Sequence, residues 1–211
     1  MATNIKRIMG ELKKFNEVKY DNIFIQPVDD KLNNLNALII GPSDSEFEDS
    51  FLFFNISIPV EYPFKPPIFK FLSPVGTNHR IHPNLYADGK VCLSILNTWS
   101  GDDKWSSVLT IEKILLTISG LLDKDPLYYE PAYGKHKNGW KEYAITSRYL
   151  SLILSFKLLK DTTNVFYDIM NEYYKKNIKK YNKHIENLKE YENKIIISFH
   201  NNIKIDIKRF A

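Results

Sequence analysis

A single cysteine among 211 residues excludes an intramolecular disulfide framework and a cysteine-rich zinc site. Long apolar runs are also missing. The most apolar windows, FLFFNISIPV (51–60) and YLSLILSF (149–156), are far too short to cross a bilayer. The first residues, MATNIKRIMGELKKF, carry basic side chains without the continuous apolar stretch of a secretory signal. No internal repeat or low-complexity tract stands out. These absences predict a protein of the reducing cytosol or nucleus with no membrane segment, a secreted protein without disulfides being the remaining alternative.

What is present suits a folded domain. Hydrophobic residues make up 44% of the chain and aromatics 14%, ample for a core. The length fits one large domain, or one domain with an extension. The net charge of +4 is uneven, because residues 171–211 hold ten Lys/Arg against five Asp/Glu. That tail reads as a solvated helix face or as a dock for an acidic partner. Its lysines alternate with Glu and Asn, which argues against nucleic acid.

Periodicity supplies the elements. Ile5, Ile8, Leu12 and Phe15 recur at helical spacing near the start. Four β-like runs follow, IFIQPV from Ile23, LNALIIG from Leu35, FLFFNISIP from Phe51 and IFKFL from Ile68. Their short links predict an antiparallel meander. EYPFKPP (61–67) is too rich in proline for a central strand and reads as a stiff loop. TIEKILLTISGLL (110–122) is a helix with Thr110 as its N-cap and Leu116 outside the buried stripe of Ile111, Ile114, Leu115, Ile118, Leu121 and Leu122. A helix is predicted over about 140–160. A longer one follows DTTN with Phe166, Met170, Tyr174, Ile178, Tyr181, Ile185 and Leu188 on one side. Alternation at Ile203, Ile205 and Ile207 favours a final strand.

The lone thiol, Cys92, lies in HPNLYADGKVCLSILNTW (82–99). A thiol can take up an acyl group and pass it on, or it can be a small core hydrophobe. A cysteine protease needs a histidine base, yet none of the five histidines falls in a recognisable protease signature. The ADGK turn before Val91-Cys92 places the thiol near the surface in this reading. Asn84 is either a backbone-bonding turn residue or a donor to an oxyanion.

The run HPNLYADGKVCLSIL, preceded by YPFKPPIFKFL and followed by LTIEKILLTISGLL, resembles the ubiquitin-conjugating enzymes (E2). The likeness covers roughly residues 5 to 131, including KRIMGEL and IIGPSDSEFEDSF. CLSILNTWSGDDKW and YEPAY resemble the large-E2 subgroup with an insertion beyond the cysteine. The resemblance implies an α+β UBC fold, with a catalytic core over 1–160 and a helical extension over 161–211 packed on it. It implies an acyltransferase in which Cys92 accepts ubiquitin from an activating enzyme (E1) as a thioester and releases it to a lysine. Asn84 then supports the loop and the oxyanion, while His82 and Pro83 are structural. Glu130 stands beside the incoming amine or is a solvated loop acid. Lys6 and Arg7 match E1-binding residues. Phe64, Trp105 and Ser106 match the surface for ubiquitin ligases (E3). Leu116 and Gly120 match the helix face that packs the donor ubiquitin, though Leu116 could instead lie under the 100–104 insertion.

The same resemblance implies no bound cofactor, ATP being used upstream by the E1, and no metal. Its partners are ubiquitin or a ubiquitin-like protein, the E1, an E3 and protein substrates, with no membrane. Conjugation of another modifier, or a non-catalytic ubiquitin-binding UBC module, are the alternatives. The sequence departs from the family pattern at SEFEDS (45–50), where glycine is usual, at Ser107 in place of proline, at Ser94, and at SGDDK. Removing 196–211 is expected to leave thioester chemistry intact. Richness in Asn, Ile, Lys and Tyr suggests an AT-rich genome such as that of a giant virus or protist, with the host cytoplasm as location if viral.

Overall fold

The computed structural model describes residues 2–72, 79–100, 103–130, 139–198 and 201–210. Helix α1 (Ala2–Val18) leads into a four-stranded antiparallel meander. Its strands are β1 (Ile23–Val28), β2 (Lys31–Ile40), β3 (Phe51–Ser57) and β4 (Ile68–Phe71), in the order β1-β2-β3-β4. Ala37 pairs with Ile25 and Phe54, and Leu38 with Phe24 and Phe53, so alternate residues share a face. The α+β architecture expected from the sequence is observed.

Helix α2 (Ile111–Leu121) starts where Thr110 accepts a 3.2 Å hydrogen bond from the Lys113 amide. Ile111, Ile114, Leu115 and Ile118 are buried as the spacing predicts, and Leu121 only partly. Helix α3 (Trp140–Lys160) is buried along most of its length. Helix α4 (Tyr167–Leu188) lies against one sheet face, with Phe53 edge-on to Phe166 and Phe51 edge-on to Tyr173. Phe166, Met170, Tyr181 and Leu188 of the expected stripe are buried, but Ile178 is exposed. The cause is local. Asn177 leaves helical geometry and its side chain bonds the Tyr173 carbonyl, which kinks α4 and rotates the next residue outward.

The extension is not wholly helical. After α4, β5 (Ile195–Ser198) and β6 (Asn201–Lys204) form a hairpin; Ile203 lies in β6, Ile205 just beyond it, and Ile207 opens a short 3-10 turn. Asn201, Ile203 and Ile205 are buried, and the two isoleucines belong to the same apolar cluster as the sheet. The hairpin is thus part of the core, and its removal would open that core. This burial weighs against the expectation that removing 196–211 leaves the thioester chemistry intact.

Two carboxylates organise the packing. Asp49, at the end of SEFEDS, accepts from the Tyr173 hydroxyl at 2.7 Å and faces His184 at 3.0 Å, while its carbonyl accepts from the Tyr181 hydroxyl. Burial alone would raise the Asp49 pKa, but His184, Tyr173 and Lys180 outweigh it and hold the carboxyl below its ordinary value. At the opposite end, buried Glu11 accepts from Arg7, from the Tyr62 hydroxyl at 2.6 Å and from the Ile111 amide at 2.9 Å. It joins α1, the EYPFKPP loop and the start of α2. Truncating one member of a buried charge network leaves the others unpaired. We therefore expect Glu11→Ala to lower unfolding free energy by about 3–5 kcal/mol, read from urea denaturation.

Candidate active site

The HPN segment is held by its own polar atoms. His82 is fully buried; its Nδ1 accepts from the Asn84 amide at 3.0 Å, and its Nε2 meets the Leu121 carbonyl at 3.1 Å. This geometry fixes a neutral imidazole with the proton on Nε2. Burial lowers the His82 pKa to about 4. Both ring nitrogens are engaged, so His82 is a strut between α2 and the loop and not a base for the thiol.

The ADGK turn is stitched to the sheet edge. The Gly89 carbonyl accepts from the Phe71 amide at 2.8 Å. Gly89 sits at φ +91°, where a Cβ would stand 2.8 Å from the Phe71 oxygen, so a side chain is excluded twice over. Beyond it, the Cys92 amide donates to the Asn84 carbonyl at 2.9 Å, and the Asn84 Nδ2 donates to the Cys92 carbonyl at 2.7 Å. Two hydrogen bonds thus clamp Asn84 to Cys92. The Asn84 Oδ1 is buried with no hydrogen-bond partner among the described residues.

Cys92 is 2% exposed, not at the surface as the turn suggested. The reason is the segment after it. Ser94–Leu96 forms a 3-10 turn, and left-handed Asn97 folds the chain back. Thr98 then closes over the cysteine. Its hydroxyl accepts from the Leu93 amide at 2.8 Å and lies 2.8 Å from the Val91 carbonyl, while its own carbonyl lies 3.3 Å from the Cys92 Sγ. The thiol lines a cavity of about 350 Å³ with Asn84, Tyr86, Trp99, Tyr129 and Glu130. No histidine lines it among the described residues. Tyr86 adjoins both Cys92 and Arg80; burial and the thiol push its phenol pKa up against the pull of Arg80.

A buried sole cysteine clamped to an asparagine, in a cavity with no histidine among its described lining residues, suits acyl transfer by positioning better than hydrolysis. A model of the ubiquitin-conjugating enzyme family matches residues 7–149. The chain belongs to that family. Among its relatives, ubiquitin-conjugating enzyme E2 Z of Xenopus tropicalis is 32% identical over 66% of this chain and 45% of its own length. The Danio rerio E2 Z is 33% identical over 64% of this chain and 40% of its own. The Homo sapiens E2 Z is 33% identical over 63% and 37%. The chain spans less than half the length of these relatives.

The structure brings Cys92, Asn84, Pro83 and Glu130 to one cavity, while His82 is fully buried and does not line it. Lys6 is exposed, whereas Arg7 donates to Glu11 and to the Ser107 and Leu109 carbonyls, bolting α1 to the loop before α2. Phe64 is 81% exposed, flanked by exposed Val60 in its own loop. Trp105 is half-buried, with its indole donating to the Pro63 carbonyl at 2.8 Å and its ring against Tyr62, beside exposed Ser106. Leu116 is half-buried against the core and Gly120 opens to solvent. The part of SGDDK at 101–102 lies outside the described residues, as does most of YEPAY.

Sequence reasoning missed Tyr86, Thr98 and Arg80. The signal for Thr98 was its hydroxyl directly after a left-handed-prone asparagine, where side-chain bonding to a turn is common. A pH test follows for His82. Because its folded pKa is depressed, its contribution is complete above about 6.5 and lost as pH falls toward about 4, amounting to roughly 3 kcal/mol. Thermal melts from pH 7 to pH 4 should show this decline, and it should vanish in His82→Asn, whose amide keeps a donor and an acceptor.

Proposed function

We propose that this chain is an E2 conjugating enzyme of the ubiquitin pathway. In the first step the Cys92 thiolate attacks the thioester carbonyl on the E1, the new thioester forms, and the E1 sulfur leaves as a thiolate. In the second, a neutral lysine amine attacks that carbonyl, an amide forms, Cys92 leaves as a thiolate and the one proton lost by the amine passes to solvent. A thioester is already activated, so the second step needs orientation and oxyanion stabilisation more than a strong base. The observation that carries this reading is the sole cysteine lining a cavity with no histidine among its described residues, clamped to Asn84. One Asn84 N–H holds the Cys92 carbonyl, and the second is the donor for the oxyanion. Glu130 faces the same cavity and orients the incoming amine.

The partner surfaces follow the exposed residues. Lys6 contributes the charge toward the E1, Arg7 being bound internally. Phe64 is the anchor for an E3, with Ser106 beside it and Trp105 as its support through Pro63. Leu116 and Gly120 offer the α2 face for the donor modifier. ATP acts only at the E1, and no cofactor is bound. We place the chain in the large-E2 subgroup with an insertion, supported by the Asn97 side chain accepting from the Trp105 amide at 3.1 Å, which closes the loop between them. We place it in the cytosol or nucleus of an AT-rich protist, or in the host cytoplasm of a giant virus.

Incubation with E1, ATP and ubiquitin should give a reducible adduct on a non-reducing gel. Cys92→Ala should abolish it, and Cys92→Ser should trap a reductant-stable oxyester. Failure to form an adduct with ubiquitin or any related modifier rejects the proposal.

A further inference from the structure

The C-terminal hairpin lies beyond the residues that match the family, yet it reaches the segment that leads into the HPN motif. Asn201, at the start of β6, is 4% exposed. Its Oδ1 accepts from the Arg80 amide at 3.0 Å, and its Nδ2 donates to the Arg80 carbonyl at 2.9 Å. One side-chain amide thus satisfies both backbone groups of a single residue, as a neighbouring strand would. The amide is itself oriented from α3, because Nδ2 also lies 3.3 Å from the Thr146 hydroxyl, which in turn meets Ser198 of β5 at 3.1 Å.

Arg80 is two residues before His82, and its guanidinium stacks on the Tyr86 ring at 3.6 Å from the centroid. A cation held that close over an aromatic face resists sliding of the ring. Tyr86 lines the same cavity as Cys92. A continuous physical chain therefore runs from the hairpin through the Arg80 backbone and guanidinium to the Tyr86 ring in the wall of the Cys92 cavity.

We infer that the hairpin is a positioning element of the Cys92 site, with Asn201 as the residue that sets Arg80, and through it Tyr86, against the thiol. The inference rests on the reading of Cys92 as the nucleophile. The contact of Asn201 with Arg80 joins residues 121 positions apart in the chain. Asn201 is a positioning residue; it touches neither the thiol nor the cavity. Its neighbour Asn202 is exposed on the outer side of the same strand and serves as the internal control.

The test uses the full chain, whose only cysteine makes alkylation site-specific. Asn201→Ala should raise the iodoacetamide alkylation rate of Cys92 at fixed pH about threefold or more as Tyr86 loosens. It should slow single-turnover discharge of the thioester to free lysine on the order of tenfold, a modest misplacement being enough for that. Asn201→Ser, whose smaller hydroxyl brings no charge into the buried site, should fall between it and the parent, and it serves if the alanine variant does not fold. Asn202→Ala should behave as the parent.

The deciding measurement is a double-mutant cycle. If the grip acts through Arg80, adding Asn201→Ala to Arg80→Ala should change little further. Additive effects, or alkylation and discharge both unchanged in Asn201→Ala, overturn the inference. So does an Asn202→Ala variant as impaired as Asn201→Ala. Alkylation needs no E1 and no modifier, so it reads the grip even if the parent forms no thioester, and that second failure would count against the proposed function alone.

Discussion

The geometry of this molecule depends on bracing the central helix at both ends. At its start, the buried Glu11 carboxylate takes the first free amide of α2, the Ile111 N–H, along with Tyr62 and Arg7. At its end, the Leu121 carbonyl meets the His82 ring. Helix termini leave amides and carbonyls without intrahelical partners, and here those orphan groups are the attachment points for α1, for the EYPFKPP loop and for the HPN segment. Charge-assisted hydrogen bonds in a buried setting are strong and directional. The EYPFKPP loop and the HPN segment are therefore attached near opposite ends of one helix.

The same economy appears around the nucleophile. His82 is neutral, fully bonded and fully buried, so the only histidine of the motif is withdrawn from proton transfer. Thr98 covers the thiol from one side and Asn84 clamps its backbone from the other. Among the described residues, the cavity beside the thiol is rimmed by Trp99, Tyr129 and Glu130. In the proposed conjugating role, such enclosure would shield an acyl group on Cys92 from water.

Much of this was legible in the sequence because it is coded locally. Period-two runs between turn residues gave the meander, Thr110 ahead of an apolar stripe gave the start of α2, and the resemblance to the ubiquitin-conjugating enzymes pointed to Asn84 and Glu130 beside Cys92. What escaped is coded by pairs far apart. Arg7 reads as a surface charge until its bonds to Ser107 and Leu109, about a hundred residues away, are seen. The burial of Cys92 depends on Asn97 adopting a left-handed conformation, a backbone choice that no periodicity reports. Asn201 is one polar residue in an alternating run, and only its pairing with Arg80 gives it meaning.

The departure at SEFEDS and the presence of the extension prove to be two halves of one feature. A glycine-rich loop would offer α3 and α4 only backbone. Here Ser50 bonds Ser151 of α3 at 3.0 Å, Glu46 approaches Arg148 at 3.6 Å, and Asp49 gathers Tyr173, Lys180 and His184 of α4. Arg148 returns to the loop through the Ser45 and Glu48 carbonyls. The loop is thus a polar socket for the C-terminal helices. Those helices in turn carry the hairpin whose Asn201 reaches Arg80, so a substitution pattern before β3 is tied by physical contact to the far side of the thiol.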